Sequence, residues 1–225
     1  MSIDHYDQKI KVKSFNKWTQ QEVEQVFHLT PHHHLDSLQH WLNLELPPEL
    51  TIHEADKAYL SQRQLNAIDF IDSWTEQELI INYLAFILEA AKLGQTHYRA
   101  FANRPLKATV DNIAVAGMVD LMVASGRYEP IAPYFCFHEY KKAESRDKSD
   151  PRGQLLVTML AAQALNESQH PIYGAYISGR LWYFVVLDQQ DYAISLPYDS
   201  TQDGLWDILR IMKGLNVLIK AIINQ

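Results

Sequence analysis

The spacing of apolar positions changes several times along the chain, and each change predicts a new element. Residues 19–29 (TQQEVEQVFHL) put Val23, Val26 and Phe27 on one helical face, with Thr19 and Glu22 at capping-box spacing. Leu35, Leu38, Trp41 and Leu42 repeat that spacing over 33–44, so the first third reads as short helices. Residues 75–93 (TEQELIINYLAFILEAAKL) predict a long helix, apolar over most of its circumference and hence buried, with Gly94 to stop it. The period then falls to two. Strands are expected over 98–103, 106–110, 113–124 and 134–143, separated by Arg104-Pro105, Asp111-Asn112 and the loop 125–133. Asp150-Pro151 has the form of an N-cap with proline at the first helical position. It opens a helix that turns Leu155, Thr158, Met159, Ala162 and Leu165 inward. Strands return over 171–178, 181–187 and 191–196, and a last helix over 204–224 is apolar along one broad side. This succession predicts an α/β sandwich around a mixed sheet.

Composition narrows the class. The 225 residues are 47% apolar and 21% charged, as in a folded domain rather than a disordered or fibrous chain. A single cysteine, Cys136, excludes an intramolecular disulfide framework and a cysteine-rich zinc module. No run of apolar residues is long enough for a membrane span, and the N-terminus lacks the apolar core of a signal peptide, so a cytoplasmic protein is expected. The net charge of −7 argues against a polyanionic partner until its distribution is read. Residues 19–91 carry two basic against twelve acidic groups, whereas 92–152 carry ten basic against seven acidic. A polyanion would meet the middle of the chain.

The same middle region holds the candidate chemistry. In IAVAGMVDLMVAS, Asp120 is expected to share a face with Met118 and Met122, while Val119, Leu121 and Val123 take the other. Aspartate is a poor strand residue among such neighbours. In YFCFHEYKKA, Glu139 and Lys141 share a face with Phe135 and Phe137, and adjacent strands would bring Asp120, Glu139 and Lys141 together. Two carboxylates repel on an apolar sheet, and a divalent cation relieves that repulsion. Oxygen ligands suit Mg2+ or Mn2+. A lysine beside the cation orients or deprotonates the attacking water, or offsets charge at a phosphorus.

Gly117-Met118-Val119-Asp120, eighteen intervening residues, Glu139-Tyr140-Lys141 and then Gln154 early in a helix resembles the PD-(D/E)XK nuclease superfamily. Val119 stands where proline commonly precedes the aspartate. The element order over about 75–187 is similar to that family's core. The resemblance implies an α/β restriction-endonuclease-like core in residues 75–225, ending in a C-terminal helix, with residues 1–74 as an N-terminal helical extension. It implies Asp120 and Glu139 as metal ligands, Lys141 as catalytic base or charge stabiliser, and Gln154 as the auxiliary. The family often adds an acid from the first core helix; Glu78 is the match, with Glu89 the weaker one, although Thr75-x-x-Glu78 is equally a capping box. The implied activity is Mg2+- (or Mn2+-) dependent hydrolysis of phosphodiester bonds in nucleic acid, DNA before RNA. Arg99, Arg104, Lys107, Lys142, Arg146, Lys148 and Arg152 are expected on the phosphate backbone.

Two other readings compete. One is a catalytically inactive nuclease fold serving as a binding module, with the apolar C-terminal helix, for a second copy or a protein partner, and the acidic N-terminal third as its partner surfaces. The other is a different α/β ligand-binding fold in which Asp120 is incidental. His32-His33-His34 diverge by about 100° per residue on a helix and make a poor chelate, so a solvated helix start is expected. His138 and Cys136 fall on the opposite face from Glu139 and are expected to pack. No Gly-rich phosphate loop and no G-x-S-x-G elbow occurs, which leaves NTPases and serine hydrolases without a foothold.

Overall fold

In the computed structural model, residues 12–142, 149–166 and 170–224 are described. The two longest strands of the described residues, β3 (Tyr98–Val110) and β4 (Ile113–Ser125), form an antiparallel hairpin. Asp111 and Asn112 close it, both in the left-handed region (φ 45° and 65°) that two-residue hairpin turns require. The Arg104-Pro105 break expected inside β3 is absent. Asn103 takes a positive φ of 51° there, and β3 is an edge strand, where the missing N–H of Pro105 is tolerated.

From β4 the sheet continues through β5 (Ile131–Lys141), β6 (Ile172–Ser178), β7 (Leu181–Asp188) and β8 (Asp191–Ile194). A short β9 (Tyr198–Asp199) adds to β7. Two strands from the N-terminal segment complete it: β1 (Lys13–Ser14) lies parallel to β4, and β2 (Thr30–His32) parallel to β8. β5 and β6 are also parallel and the remaining pairs antiparallel, so the nine-stranded sheet is mixed and the class is α/β. The segment expected as a helical extension thus supplies two strands. His32 belongs to β2 rather than to a helix start, with its Nε2 2.7 Å from Asp191 Oδ1.

Helices cover both faces. On one lie α2 (Asp36–Leu42), α3 (Glu54–Phe70), α4 (Glu76–Leu79) and α5 (Ala85–Ala91), the last two joined by a π-turn at Ile80–Leu84, and α7 (Gly204–Ile223). On the other lie α1 (Gln20–Phe27) and α6 (Pro151–Asn166). The helix predicted over 75–93 ends at Lys92, which takes the left-handed cap (φ 56°) two residues before Gly94. The apolar side of α7, expected as a partner surface, is core: Leu205, Ile208, Leu209, Met212, Leu215 and Ile219 are buried against the sheet. Among the described residues no helix is long and apolar enough to cross a membrane.

One carboxylate fixes how α1 meets α6. Asp150 caps its own helix by accepting the N–H of Arg152 (3.0 Å), and its second oxygen accepts the N–H of Gln20 (2.7 Å), the first residue of α1. Gly153 allows this approach, since a Cβ there would stand 2.4 Å from the carbonyl oxygen of Trp18. The chain leading into α1 is thereby held against the helix that carries Gln154.

Candidate active site

The site occupies a gap in the sheet. β4 pairs with β5 from Ser125 down to Leu121 opposite His138, and with β1 at Val115 and Ala116. Between those two registers, Gly117 to Val119 pair with β3 on one side only, and among the described residues Asp120 has no register partner on either neighbouring strand. There the backbone N–H of Tyr140 donates to Asp120 Oδ2 (2.8 Å), so a carboxylate takes the place of a strand carbonyl.

The pleat also slips at this level. Met122 packs in the cluster beneath α6, as do Val119 and Val115, whereas Leu121 and Val123 pack in the opposite cluster. β3 slips with it, from Phe101 to Leu106 and Ala108 in the α6 cluster. The slip coincides with the left-handed Asn103, which lies between the Ala102–Leu121 and Arg104–Val119 pairs of the hairpin. Strict alternation therefore gave the wrong companions: Val119 does not share a face with Leu121 and Val123, and Met118 is 49% exposed at the cavity rim.

A cavity of about 280 Å³ opens in the gap. Ser14, Phe15 and Asn16 form one wall, Met118 and Asp120 come from β4, and Glu139, Lys141 and Gln154 complete it. Phe15 lies so close to β4 that a Cβ on Gly117 would stand 2.6 Å from its ring. Four residues singled out from the sequence, Asp120, Glu139, Lys141 and Gln154, thus line one cavity.

Glu139 is the centre of this group and only 4% exposed. Its Oε1 lies 2.8 Å from Lys141 Nζ, and its Oε2 accepts a hydrogen bond from Gln154 Nε2 (2.6 Å). Burial, followed by the charge of Asp120, pushes its carboxyl up to about 8, against the opposing pull of Lys141. Asp120 is likewise raised by burial, offset in part by the Tyr140 N–H and by Lys141. Burial works against the charge of Lys141, but the Glu139 carboxylate outweighs it and keeps the ammonium above its ordinary range. Gln154 is 7% exposed, and its Oε1 has no hydrogen-bond donor among the described residues.

The acid contributed by the helix is Glu76, with Oε2 3.9 Å from Lys141 Nζ, rather than Glu78. Glu78 closes the capping box, accepting from the N–H and the hydroxyl of Thr75 (both 2.8 Å), and stands exposed away from the cavity. The cap was the readable signal: it claims Glu78 and leaves the other first-turn acid for the site. Glu89 accepts from the Tyr59 hydroxyl (2.8 Å) and is not part of the group. His138, against Trp182, and Cys136 pack on the far face, but Phe135, expected beside Phe137 and Glu139, packs there too; burial holds the imidazole down near 3 and pushes the thiol up.

The basic candidates are scattered. Arg99 donates to the carbonyl of Arg127 (3.2 Å), Arg104 lies 3.9 Å from Glu129, and Arg152 donates to the Tyr176 hydroxyl (3.1 Å). Lys107 and Lys142 are exposed on β3 and just after β5. None of these lines the cavity. Arg146 and Lys148 lie outside the described residues.

Among the described residues, no three His, Cys, Asp or Glu side chains form a ready-made metal cage. No family model matches the chain, and no curated protein matches it. A solved structure described as "Crystal structure of SSO0001" aligns at 15% identity over 80% of this chain and 84% of that one, with a TM-score of 0.25. A likeness at that score carries no argument.

Proposed function

We propose that this chain is a Mg2+- or Mn2+-dependent nuclease with a restriction-endonuclease-like core of the PD-(D/E)XK type, hydrolysing phosphodiester bonds in nucleic acid, DNA before RNA. The observation that carries the reading is the pair of carboxylates, half-buried Asp120 and buried Glu139, opening into one cavity beside the Lys141 ammonium. The donor set fits a hard divalent cation. Both carboxyls are raised by burial, and the charge on Asp120 raises Glu139 further, so a cation between them offsets a cost the fold otherwise bears. Two carboxylates are few ligands, which suits an ion that keeps waters and takes phosphate oxygens. When bound, such an ion polarises the scissile phosphodiester and acidifies a coordinated water.

The chain's own groups have distinct tasks. The Tyr140 N–H fixes one oxygen of Asp120 and leaves Oδ1 for ligation. Gln154 fixes Oε2 of Glu139, and its own buried carbonyl oxygen is an acceptor for the attacking water. Lys141, kept protonated by Glu139, is no base in the resting site; its ammonium offsets the negative charge that builds on the phosphoryl oxygens.

The test is to incubate the purified chain with labelled single-stranded DNA, duplex DNA and RNA in Mg2+, Mn2+, Ca2+ or chelator. Cleavage is expected in Mg2+ or Mn2+ and not in Ca2+, whose looser coordination fails to align the reactants. A folded protein that cuts none of the three in Mg2+ or Mn2+ contradicts the reading.

A further inference from the structure

A second surface lies along the edge strand and outside the catalytic cavity. Between α5 and β3 runs an open cleft of about 510 Å³, with Lys92 and Arg99 among its walls. Arg99 leads out of the cleft to the loop 126–130, where its guanidinium donates to the Arg127 carbonyl. That loop has a fixed shape. Gly126 holds φ at +105°, and a Cβ there would stand 2.1 Å from the Glu129 carbonyl oxygen, so the turn is closed on itself. Arg104 ties its far end through Glu129 (3.9 Å). At the tip Tyr128 is 76% exposed, with the Arg127 guanidinium 5.3 Å from its ring centroid.

Three cations and a presented aromatic therefore adjoin one another, and among the described residues none of Lys92, Arg99 and Arg127 forms a salt bridge. Glu89, the acid in the cleft, accepts a hydrogen bond from the Tyr59 hydroxyl, and the three cations outnumber it. We propose that this edge is the seat of single-stranded nucleic acid, with phosphates on Lys92, Arg99 and Arg127 and one base stacked on Tyr128. The inference rests on the nuclease reading and adds the substrate class to it.

The chemistry selects the occupant. Phosphates need cations and nothing base-specific, which the cleft supplies. A ring held out of the core on a preformed loop is a platform on which any base stacks at little ordering cost. Duplex bases already stack on their neighbours and have no free face for Tyr128, so an unpaired strand is favoured. The surface also leads to the chemistry. Arg104 pairs in the hairpin with Val119, the residue before Asp120, and Arg99 pairs with Ala124. The rise between those levels is roughly 17 Å.

Fluorescence anisotropy tests this without turnover, in chelator, using a labelled oligothymidylate, a duplex of the same length, and polyglutamate as competitor. The wild-type chain is expected to bind the single strand more tightly than the duplex. Tyr128→Ala is expected to weaken single-strand binding roughly 5- to 150-fold while Tyr128→Phe retains it. Lys92→Asn, which keeps the left-handed cap at that position, should flatten the salt dependence by about 0.7 in log–log slope. Thermal melts of the three variants alongside the wild type establish that each is folded. Single-strand affinity equal in wild type and Tyr128→Ala overturns the proposal, as does preference for the duplex or displacement by polyglutamate as effective as by oligothymidylate. A chain that cuts nucleic acid in Mg2+ yet shows any of these results loses this inference and keeps its nuclease reading; one that neither cuts nor binds loses both.

Discussion

Asp120 faces opposing demands: burial penalises its charge, while the Tyr140 N–H and Lys141 favour it. Asparagine at this position keeps an acceptor for the Tyr140 N–H and removes the repulsion with Glu139. In chelator, Asp120→Asn is therefore expected to melt at or above the wild-type temperature. Mg2+ should raise the wild-type melting temperature, by about 2.7 kcal/mol at a hundredfold excess over its dissociation constant, and the variant should gain much less. A variant that melts lower in chelator and gains as much from Mg2+ would mark Asp120 as a structural acceptor. Glu139 gives a pH signature of opposite sign to most carboxylates. Unfolded, it releases its proton near 4.5, and folded near 8, so the native state binds more protons between those values. Metal-free stability should fall as pH rises from 4.5 to 8, and Glu139→Gln should remove most of that slope; denaturant melts across this range read it directly. At this scale the convergence of Asp120, Glu139, Lys141 and Gln154 on one cavity was legible from strand neighbourhood and helix placement. Two things were not. The slip of the pleat depends on a left-handed Asn103 that alternation cannot foresee. Glu76 was passed over for Glu78, although the cap beginning at Thr75 already accounts for Glu78.

Elements were legible where one face is buried, and not otherwise. Strands β3 to β8 and the helices at Thr19, Asp150 and Gly204 carry clear periods or caps, and they form within a few residues of expectation. The 17-residue α3 went unread because its apolar residues point everywhere: Leu60 and Ala67 are buried, Leu65 and Ile68 exposed. Polar contacts hold it instead. Gln64 donates to the carbonyls of Ser200 (3.0 Å) and Gln202 (2.8 Å), and Asp56 lies 3.1 Å from the ammonium of Lys213, a residue of α7 only 1% exposed. Removing Asp56 strands that ammonium in the core. Asp56→Ala should cost about 3–5 kcal/mol in denaturant unfolding, and combining it with Lys213→Met should recover a large part of the loss. A single-variant cost below 1 kcal/mol would mean that α3 is held by packing alone.

Over the whole molecule, the chain completes the nine-stranded sheet of the described residues with strands from its first 32 residues, and the gap that holds the candidate site exists because β1 and β5 take different stretches of the same edge of β4. A two-residue β1 has no sequence period to reveal it, so residues 1–74 read as an appendage although Phe15, Trp18 and Trp41 lie in the two cores. In the proposed mechanism Lys141, held against Glu139 in the same cavity as Asp120, is the group on which hydrolysis turns. The decisive measurement compares wild type and Lys141→Ala for single-turnover cleavage of nucleic acid in Mg2+, with Mg2+ affinity read in parallel from the metal-induced rise in melting temperature. Turnover should fall by about 10²–10³-fold while that affinity is retained. Cleavage by Lys141→Ala at the wild-type rate would contradict the proposed mechanism.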